Sequence, residues 1–543
     1  MDKRRSFFPS GSAFYSSLVV LLFIASFGIR LHHIDRPPLD FAEVRQYQVA
    51  HIARGYYVEG LDSIPEWKKQ IARLNMERMG FLLEPRIMEH AAVFGYRITG
   101  GEHLWFPRLL SSIFWLIGGF FLYMIAKRIS SAGAAFVSAA FYLFLPYSIL
   151  ASRSFQPDPL MTMMLLGGIF FIMMYYEQAS LSKLFAAAIL SSCAILVKPY
   201  SLFLIFGAFV SLSIYKKGIR KSLINRDSAL FVFLSLVPAG VYYISLFLNS
   251  AGFLKEHTEG SFLPHLFLHL YFWTDWLNMI ALVVGYIALA CALLGFFLIR
   301  DKFSKSLLAG LWIGYFIYGL SAPYQIHTHD YYHIPIIPIV ALSIGPLSCL
   351  LINRLFSSWK RLFLLGILCL AVVIGLWIGK GKINLRDHKE EAKTIGSIIG
   401  VYPQFYKFIS DDFEKEVRIA KEIGEITGHS ANTIFLTSDF GRSLAYHGEL
   451  SGLPWPNSVS LQERGERGLN IPKKEELFNV RYLTVRTHGK YIRYTPYFFI
   501  ITAFNELEKQ KDLKDFLNLN FPVLAQSDDY LIFDLRKMSE HES

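Results

Sequence analysis

Charge is what this sequence has least of. Asp, Glu, Lys and Arg together supply 18% of the 543 residues, against about 25% in an average soluble domain. That scarcity excludes an intrinsically disordered chain, a solvated coiled coil and an ordinary soluble enzyme. Cysteine is nearly absent as well: Cys193, Cys291, Cys349 and Cys369 stand far apart in apolar stretches. They read as small buried residues, so a disulfide framework and a zinc cluster are both excluded. No internal repeat or low-complexity tract interrupts the chain. No nucleic-acid motif accompanies the +11 net charge, so its basic residues need another explanation than RNA or DNA.

What is abundant is apolar surface. Hydrophobic residues make up 53% and aromatic residues 16%, with a mean hydropathy of +0.36. Windows long enough to cross roughly 30 Å of hydrocarbon recur along the chain. They are Ser12–Ile29, Leu109–Ala126, Ser131–Ser152, Pro159–Tyr176, Leu184–Val197, Pro199–Tyr215, Ser228–Leu254, Trp276–Ile299, Ser306–Gln325, Ile334–Asn353 and Leu362–Gly379. The windows flanking Lys198-Pro199 are short enough to be one bent element. The basic Met1–Arg5 followed by an apolar run resembles a secretory leader, but the chain continues as Arg30-Leu31-His32-His33 with no small-residue cleavage site. It is therefore expected to be an uncleaved first span.

Basic residues concentrate in alternate loops, including Lys127, Arg128, Lys216, Lys217, Arg220, Lys221, Arg300, Lys302, Lys360 and Arg361. The short loops between them hold Arg153, Lys198 and Lys255 against Asp158, Glu256, Glu259, Asp275 and Asp330. The asymmetry predicts a plasma (inner) membrane protein with a cytoplasmic N-terminus and an outer C-terminus. The fold class is a polytopic α-helical membrane protein of about 11 spans with a C-terminal extracytoplasmic α/β domain. A membrane module at 1–379 would include a long first outer loop at 32–106, where Trp67–Leu74 suits a helix lying in the interface plane. In the tail, 380–543, Thr433–Thr437 and Tyr482–Val485 read as buried strands. Glu414–Ile426 and Ala503–Leu517 read as helices.

Candidate chemistry gathers on the outer side. After the first span comes Pro37-Pro38-Leu39-Asp40-Phe41-Ala42-Glu43-Val44-Arg45-Gln46, with two carboxylates three residues apart. Asp40 is in the position of a helix N-cap, and capping alone would account for it. Asp158 stands between two prolines and would cap the fourth span. Lys198 precedes Pro199 at an outer edge, where a lysine snorkels to the interface. His327-Thr328-His329-Asp330-Tyr331-Tyr332-His333 offers three histidines and an acid, for a divalent metal, an anionic head group or an aromatic belt. A transporter would set its polar groups in mid-span. These lie at the outer ends instead, as an interfacial active site would.

In order along residues 12–340, the Pro-Pro-Leu-Asp-Phe…Arg-Gln…Ile-Ala-Arg run, Glu84-Pro85, Arg108-Leu109, Asp158, Lys198-Pro199 and His329-Asp330-Tyr331-Tyr332…Pro335 resemble the GT-C superfold of polyprenyl-phosphate-sugar-dependent glycosyltransferases. That group includes the dolichyl-phosphate-mannose protein mannosyltransferases and the lipid A aminoarabinose transferase. The resemblance implies a GT-C membrane core and inverting transfer of one sugar from a polyprenyl-phosphate donor to an extracytoplasmic hydroxyl or amine acceptor. It makes a first-loop carboxylate the base, Asp40 or alternatively Glu43, because Ala42 stands where many members carry the first acid of an Asp-Glu pair. Asp158 would orient the acceptor or a cationic partner. Arg45, Glu84, Arg108, Arg153, Lys198, His329, Asp330, Tyr331 and Tyr332 would contact substrate, with Lys198, Arg45, Arg108 or Arg153 stabilising the leaving phosphate. A metal remains an option at Glu84, His90 or the histidine cluster. Competing expectations are a lipid-linked polysaccharide polymerase or ligase and a lipid-sugar transporter or flippase.

Overall fold

The computed structural model describes residues 12–79, 84–223, 225–249, 262–355, 405–410, 413–466, 483–487 and 490–537. From the first described residue the helices are α1 (Ser12–Leu31), α2 (Glu43–Glu59), α3 (Glu66–Met79), α4 (Ile87–Thr99), α5 (Trp105–Ile129), α6 (Ala132–Phe144), α7 (Pro146–Ser152), α8 (Asp158–Glu177), α9 (Leu181–Val197), α10 (Ser201–Leu223) and α11 (Arg226–Asn249). They continue as α12 (Leu270–Val284), α13 (Tyr286–Leu298), α14 (Lys302–Ser321), α15 (Pro323–Thr328), α16 (Ile336–Leu355) and α17 (Phe405–Ser410). The tail adds α18 (Glu414–Ile426), α19 (Arg442–His447), α20 (Ser458–Glu466), α21 (Phe504–Lys509) and α22 (Lys511–Asn520). Packing divides these into two compact units: Met1–Ile34, Arg108–Leu246 and Ser261–Asp411 in one, and Asp35–Pro107, Phe247–Gly260 and Asp412–Ser543 in the other. In this grouping the first outer loop packs with the tail.

Ten of the eleven expected windows coincide with helices over their described residues; 250–254 of one window and all of Leu362–Gly379 lie outside the described residues. Among the described residues four helices are long and apolar enough to cross a membrane, or up to six spans if each bent pair counts as one. The window Ser131–Ser152 is two helices, α6 and α7, meeting at 62°. Pro146 opens α7 and has no N–H to continue the ladder, and Leu145 before it is extended. Trp276–Ile299 is broken by 93° between α12 and α13, at Gly285 with φ 82°, a conformation a side chain would resist. The two short windows around Lys198-Pro199 are separate helices, α9 and α10, with Lys198 in extended conformation between them. Helices α10 and α14 approach so closely that a Cβ on Gly207 would lie 2.2 Å from the Gly310 carbonyl oxygen. Small residues at crossings supply packing that apolar side chains in lipid do not gain from water exclusion.

The second unit is a three-layer α/β assembly. Its strands are β1 (Thr433–Leu436), β2 (Gly452–Pro454), β3 (Leu483–Thr487), β4 (Lys490–Tyr494), β5 (Phe498–Ile501), β6 (Val523–Gln526) and β7 (Leu531–Asp534). One sheet runs β2-β1-β5-β7-β6, and β3-β4 form a separate antiparallel ribbon. β1 is parallel to β2 and β5, while β7 is antiparallel to β5 and β6. Strand alternation sends Ile434, Leu436, Phe499, Ile501 and Phe533 to a face packed with Leu513 and Leu517. Phe435, Phe498, Ile500 and Ile532 take the other face with Ile423 and Leu444. β1 is buried throughout, as a strand covered on both faces must be. Ala503–Leu517, expected as one helix, is divided into α21 and α22 at Gln510.

Candidate active site

Of the expected residues in the first unit, Asp158, Lys198 and Tyr332 gather around Tyr200. Asp158 opens α8, but the N-cap is Pro157, so Asp158 is not the cap its position suggested. Its Oδ1 accepts a hydrogen bond from the Tyr200 hydroxyl at 2.8 Å, and its Oδ2 lies 3.6 Å from Lys198 Nζ. Lys198 is 5% exposed, so it does not snorkel to the interface. The Lys198-Pro199-Tyr200 turn thus presents a cation and a phenol to one carboxylate. Tyr200 stacks on Tyr318 at 5.0 Å and lies 6.1 Å from Tyr332. The Tyr318 hydroxyl donates to the Tyr332 carbonyl oxygen at 3.3 Å. The result is a buried ion pair walled by three tyrosines, of which Tyr200 and Tyr318 were not expected. Tyr200 was legible beside Lys198-Pro199; Tyr318 lay inside a span and carried no signal.

Arg108 and Arg153 are buried and turned onto backbone. Arg153 donates to the carbonyl oxygens of His32 at 2.7 Å and His33 at 2.8 Å, and Arg108 to Ile34 at 2.9 Å and Arg153 at 3.2 Å. The carbonyls of His32, His33 and Ile34 directly follow α1, where a helix end leaves acceptors without intrahelical partners. Arg30, which no sequence motif singled out, does the same for α6. It donates to the Leu143 carbonyl at 2.9 Å and to Ser152 Oγ at 2.6 Å.

The histidine-rich stretch does not converge. His327 Nδ1 meets the Pro323 carbonyl at 2.7 Å, and His329 Nδ1 meets Thr328 Oγ1 at 2.6 Å. His333 is enclosed between the Tyr315 hydroxyl at 2.5 Å and the Ile326 carbonyl at 2.7 Å. Asp330 and Tyr331 are half-buried beside it, with Tyr331 4.8 Å from Tyr332. Among the described residues no three His, Cys, Asp or Glu side chains come together as metal ligands, at Glu84 and His90 included.

The second unit holds Asp40, Glu43, Arg45 and Glu84. α2 begins at Glu43, and its N-cap is Ala42, held left-handed at φ 41° with no side-chain cap. The expectation that Asp40 is the N-cap is corrected: the carboxylate sits two residues upstream, only 5% exposed. A non-glycine residue at positive φ costs on the order of 1–2 kcal/mol and persists where its surroundings enforce it. One enforcing contact is Gln46, whose side-chain amide donates to the Phe41 carbonyl at 2.6 Å. Arg45 is ion-paired with Glu84 at 3.0 Å and also donates to Gln48 Oε1 at 3.3 Å. That oxygen accepts a second bond, at 2.9 Å, from Arg442 of α19, which also donates to the Val44 carbonyl at 2.7 Å.

The tail continues along α2. His51 Nε2 meets the Arg442 carbonyl at 3.0 Å, and the Tyr47 hydroxyl meets His447 Nε2 at 2.7 Å. Arg54 donates to both Glu102 oxygens at 2.9 and 3.0 Å and lies 3.4 Å above the Tyr446 ring. Burial, reinforced by the Arg54 cation, drives both His51 and His447 down to about 3. Burial and then the neighbouring Glu84 charge push Glu89, on α4, up to about 7. α3, which holds the Trp67–Leu74 stretch, packs on the tail: Lys68 pairs with Glu449 at 2.8 Å, and Arg78 donates to Ser451 Oγ at 2.7 Å. None of the tail partners was visible in sequence, because each lies more than 350 positions from its partner in α2 or α3.

Residues 84–243 match the family described as dolichyl-phosphate-mannose-protein mannosyltransferase. No curated protein matches the chain. Among solved structures it is similar to ArnT from Cupriavidus metallidurans bound to undecaprenyl phosphate, at 15% identity and a TM-score of 0.56, over 97% of this chain and 98% of that one. Similarity to the same protein in its apo state reaches 16% identity and a TM-score of 0.51, over 96% and 97% of the two chains. The resemblance carried by the motifs is borne out in the family match and in the fold, which spans membrane helices and tail alike.

Proposed function

We propose that this protein transfers a single sugar from a polyprenyl-phosphate donor to an extracytoplasmic hydroxyl or amine acceptor, with inversion at the anomeric carbon. The observation carrying this reading is the buried Asp158–Lys198 pair walled by tyrosines, set where apolar helices end. It occurs in a fold shared with an ArnT that holds undecaprenyl phosphate. A prenyl-linked donor reaches such a site from the bilayer, and its phosphate needs a cation as charge develops on the leaving oxygen. Lys198 meets that need. Its 3.6 Å separation from Asp158 is longer than a close ion pair, so the ammonium can turn to a phosphate while Tyr200 retains the carboxylate.

The acceptor loses its proton as it attacks, and a carboxylate within about 3 Å serves as base. Asp40 takes this role and Glu43 is the alternative. Asp40 is supported by its burial and by its displacement from the capping position. Arg45, paired with Glu84, supplies positive charge near the base. His329, Asp330, Tyr331 and Tyr332 line the substrate side of the tyrosine wall. Arg108 and Arg153 act indirectly, by holding the carbonyls from which the first loop departs. The inner membrane, with the tail outside, is the location that fits a lipid-carried donor.

The test is turnover by purified protein with a panel of polyprenyl-phosphate monosaccharides and cell-envelope acceptors. Wild type is expected to transfer sugar, with Asp40→Asn and Lys198→Ala each reduced at least about 100-fold. Full activity in Asp40→Asn with loss in Glu43→Gln moves the base to Glu43. Absence of any sugar transfer or release by folded wild type rejects the reading.

A further inference from the structure

We infer that a cavity within the unit that holds Asp40 binds a neutral sugar ring of the acceptor away from the transferring atoms. The inference rests on the transferase reading for its role, but not for its binding. The cavity, of about 420 Å³, lies at the far end of α2 between α2, α3, the 100–102 turn and Glu449 of the tail. Arg54, on its wall, is eleven residues from Glu43, or about 16 Å along a helix. That is too far for the same sugar to meet both ends.

The wall chemistry selects the ligand. Four charged groups line it as two closed pairs, Arg54–Glu102 and Lys68–Glu449. With two cations matched by two anions there is no surplus charge for a phosphate or a free carboxylate. A purely apolar lipid would bury those pairs against hydrocarbon, a costly exchange. Between them lie Tyr57, Ile64 and Ile71, an apolar bed suited to the C–H face of a sugar. Asn75, also on the wall, is 1% exposed and donates through Nδ2 to the Leu450 carbonyl at 2.7 Å. Its Oδ1 has no hydrogen-bond partner among the described residues. A buried amide oxygen left this way costs about 1–3 kcal/mol, which a ligand hydroxyl would recover. Carboxylates and an amide oxygen are acceptors, and hydroxyls are the donors that answer them. Remote contacts of this kind add affinity for a long acceptor without touching the chemical step.

The cavity is tested with the full-length protein in detergent and the oligosaccharide fraction released from cell envelopes by mild acid, read by saturation-transfer NMR. Ser63→Trp closes the mouth from an exposed turn, and Asn75→Leu removes the orphan acceptor. Wild type is expected to transfer saturation to sugar ring protons, and each variant to lose at least about 80% of that signal. In turnover, the acceptor KM is expected to rise about tenfold while the donor KM stays constant. Equal NMR signal in wild type and Ser63→Trp, or none in wild type, overturns the inference. Sugar transfer at unchanged acceptor KM in both variants also overturns it, and leaves the transferase reading intact. Binding by wild type alone, with no donor turned over, removes the transferase reading and leaves the cavity as a saccharide site.

Discussion

The two units bury charge with different emphasis. In the membrane-helix unit, Arg30, Arg108 and Arg153 donate to backbone carbonyls at helix ends, and Lys198 forms a buried ion pair with Asp158. In the loop-and-tail unit, charged groups pair across distant segments: Arg45 with Glu84, Arg54 with Glu102, Lys68 with Glu449. The difference follows from the solvent. Around these buried guanidiniums no water satisfies the carbonyls at a helix end, so a multi-donor side chain that does so offsets its own desolvation. Where water is near, opposite charges hold two segments in register at little cost, and the gain per exposed pair is small.

That contrast makes the arginine carbonyl clamps the largest stability terms. Arg153→Ala strands two carbonyls and is expected to cost about 3–5 kcal/mol, seen as a lowered unfolding midpoint in detergent. Arg153→Lys should recover less than half, because an ammonium lacks the planar fork. A tolerated Arg153→Ala would remove the distinction between the units.

The histidine contacts between α2 and α19 come next. Both rings are held neutral in the fold, at about 3 against an ordinary 6.5. A depressed base binds protons only when unfolded, so stability is whole above about pH 6.5 and falls as the pH drops toward 3. The slope is about 1.4 kcal/mol per pH unit for each ring. Hydrogen exchange in α19 should therefore accelerate from pH 7 to pH 5, and less so in Tyr47→Phe/His447→Phe, which loses one titrating ring. An α19 equally protected at both values refutes it.

Glu89 gives an effect of opposite sign. Its raised value, about 7 against 4.5, means the fold binds the proton more tightly than the unfolded chain. Its contribution is therefore favourable below about pH 4.5 and is lost as pH rises through 7. Glu89→Gln should stabilise the protein at pH 8 by up to about 3 kcal/mol and by almost nothing at pH 4. Thermal unfolding at the two values decides it. Smallest is Lys68→Ala, whose partly exposed pair with Glu449 should be worth under about 1 kcal/mol and fade with salt. A loss beyond about 2 kcal/mol would mean that ion pairs in this unit hold the fold as strongly as the arginine clamps do in the other.

Legibility in the sequence tracked distance along the chain. The span windows were local, and the described parts of ten of them are helical. Glu414–Ile426 was read to the residue, since its apolar positions repeat at helical spacing. Thr433–Thr437 was visible as a buried strand because both its faces are covered. Bends at Pro146 and Gly285 were missed although the residues were in view, because proline and glycine permit a break without dictating it. The capping reading of Asp40 failed for a related reason. A favoured cap two residues from the helix start yields when side chains such as Gln46 hold the backbone elsewhere.

The amino-acid order alone was enough for a membrane helical core and the α/β tail. Those follow from transfer free energies and periodicities that any short window displays. Which polar groups are partners was left to the folded chain. It turned Arg108 and Arg153 to carbonyls, gave Lys198 to Asp158 and Tyr200, and set Arg442, Tyr446 and His447 along α2. Pairing in a low-dielectric interior is settled by which groups the fold brings within about 4 Å, and residues hundreds of positions apart carry no local trace of that meeting.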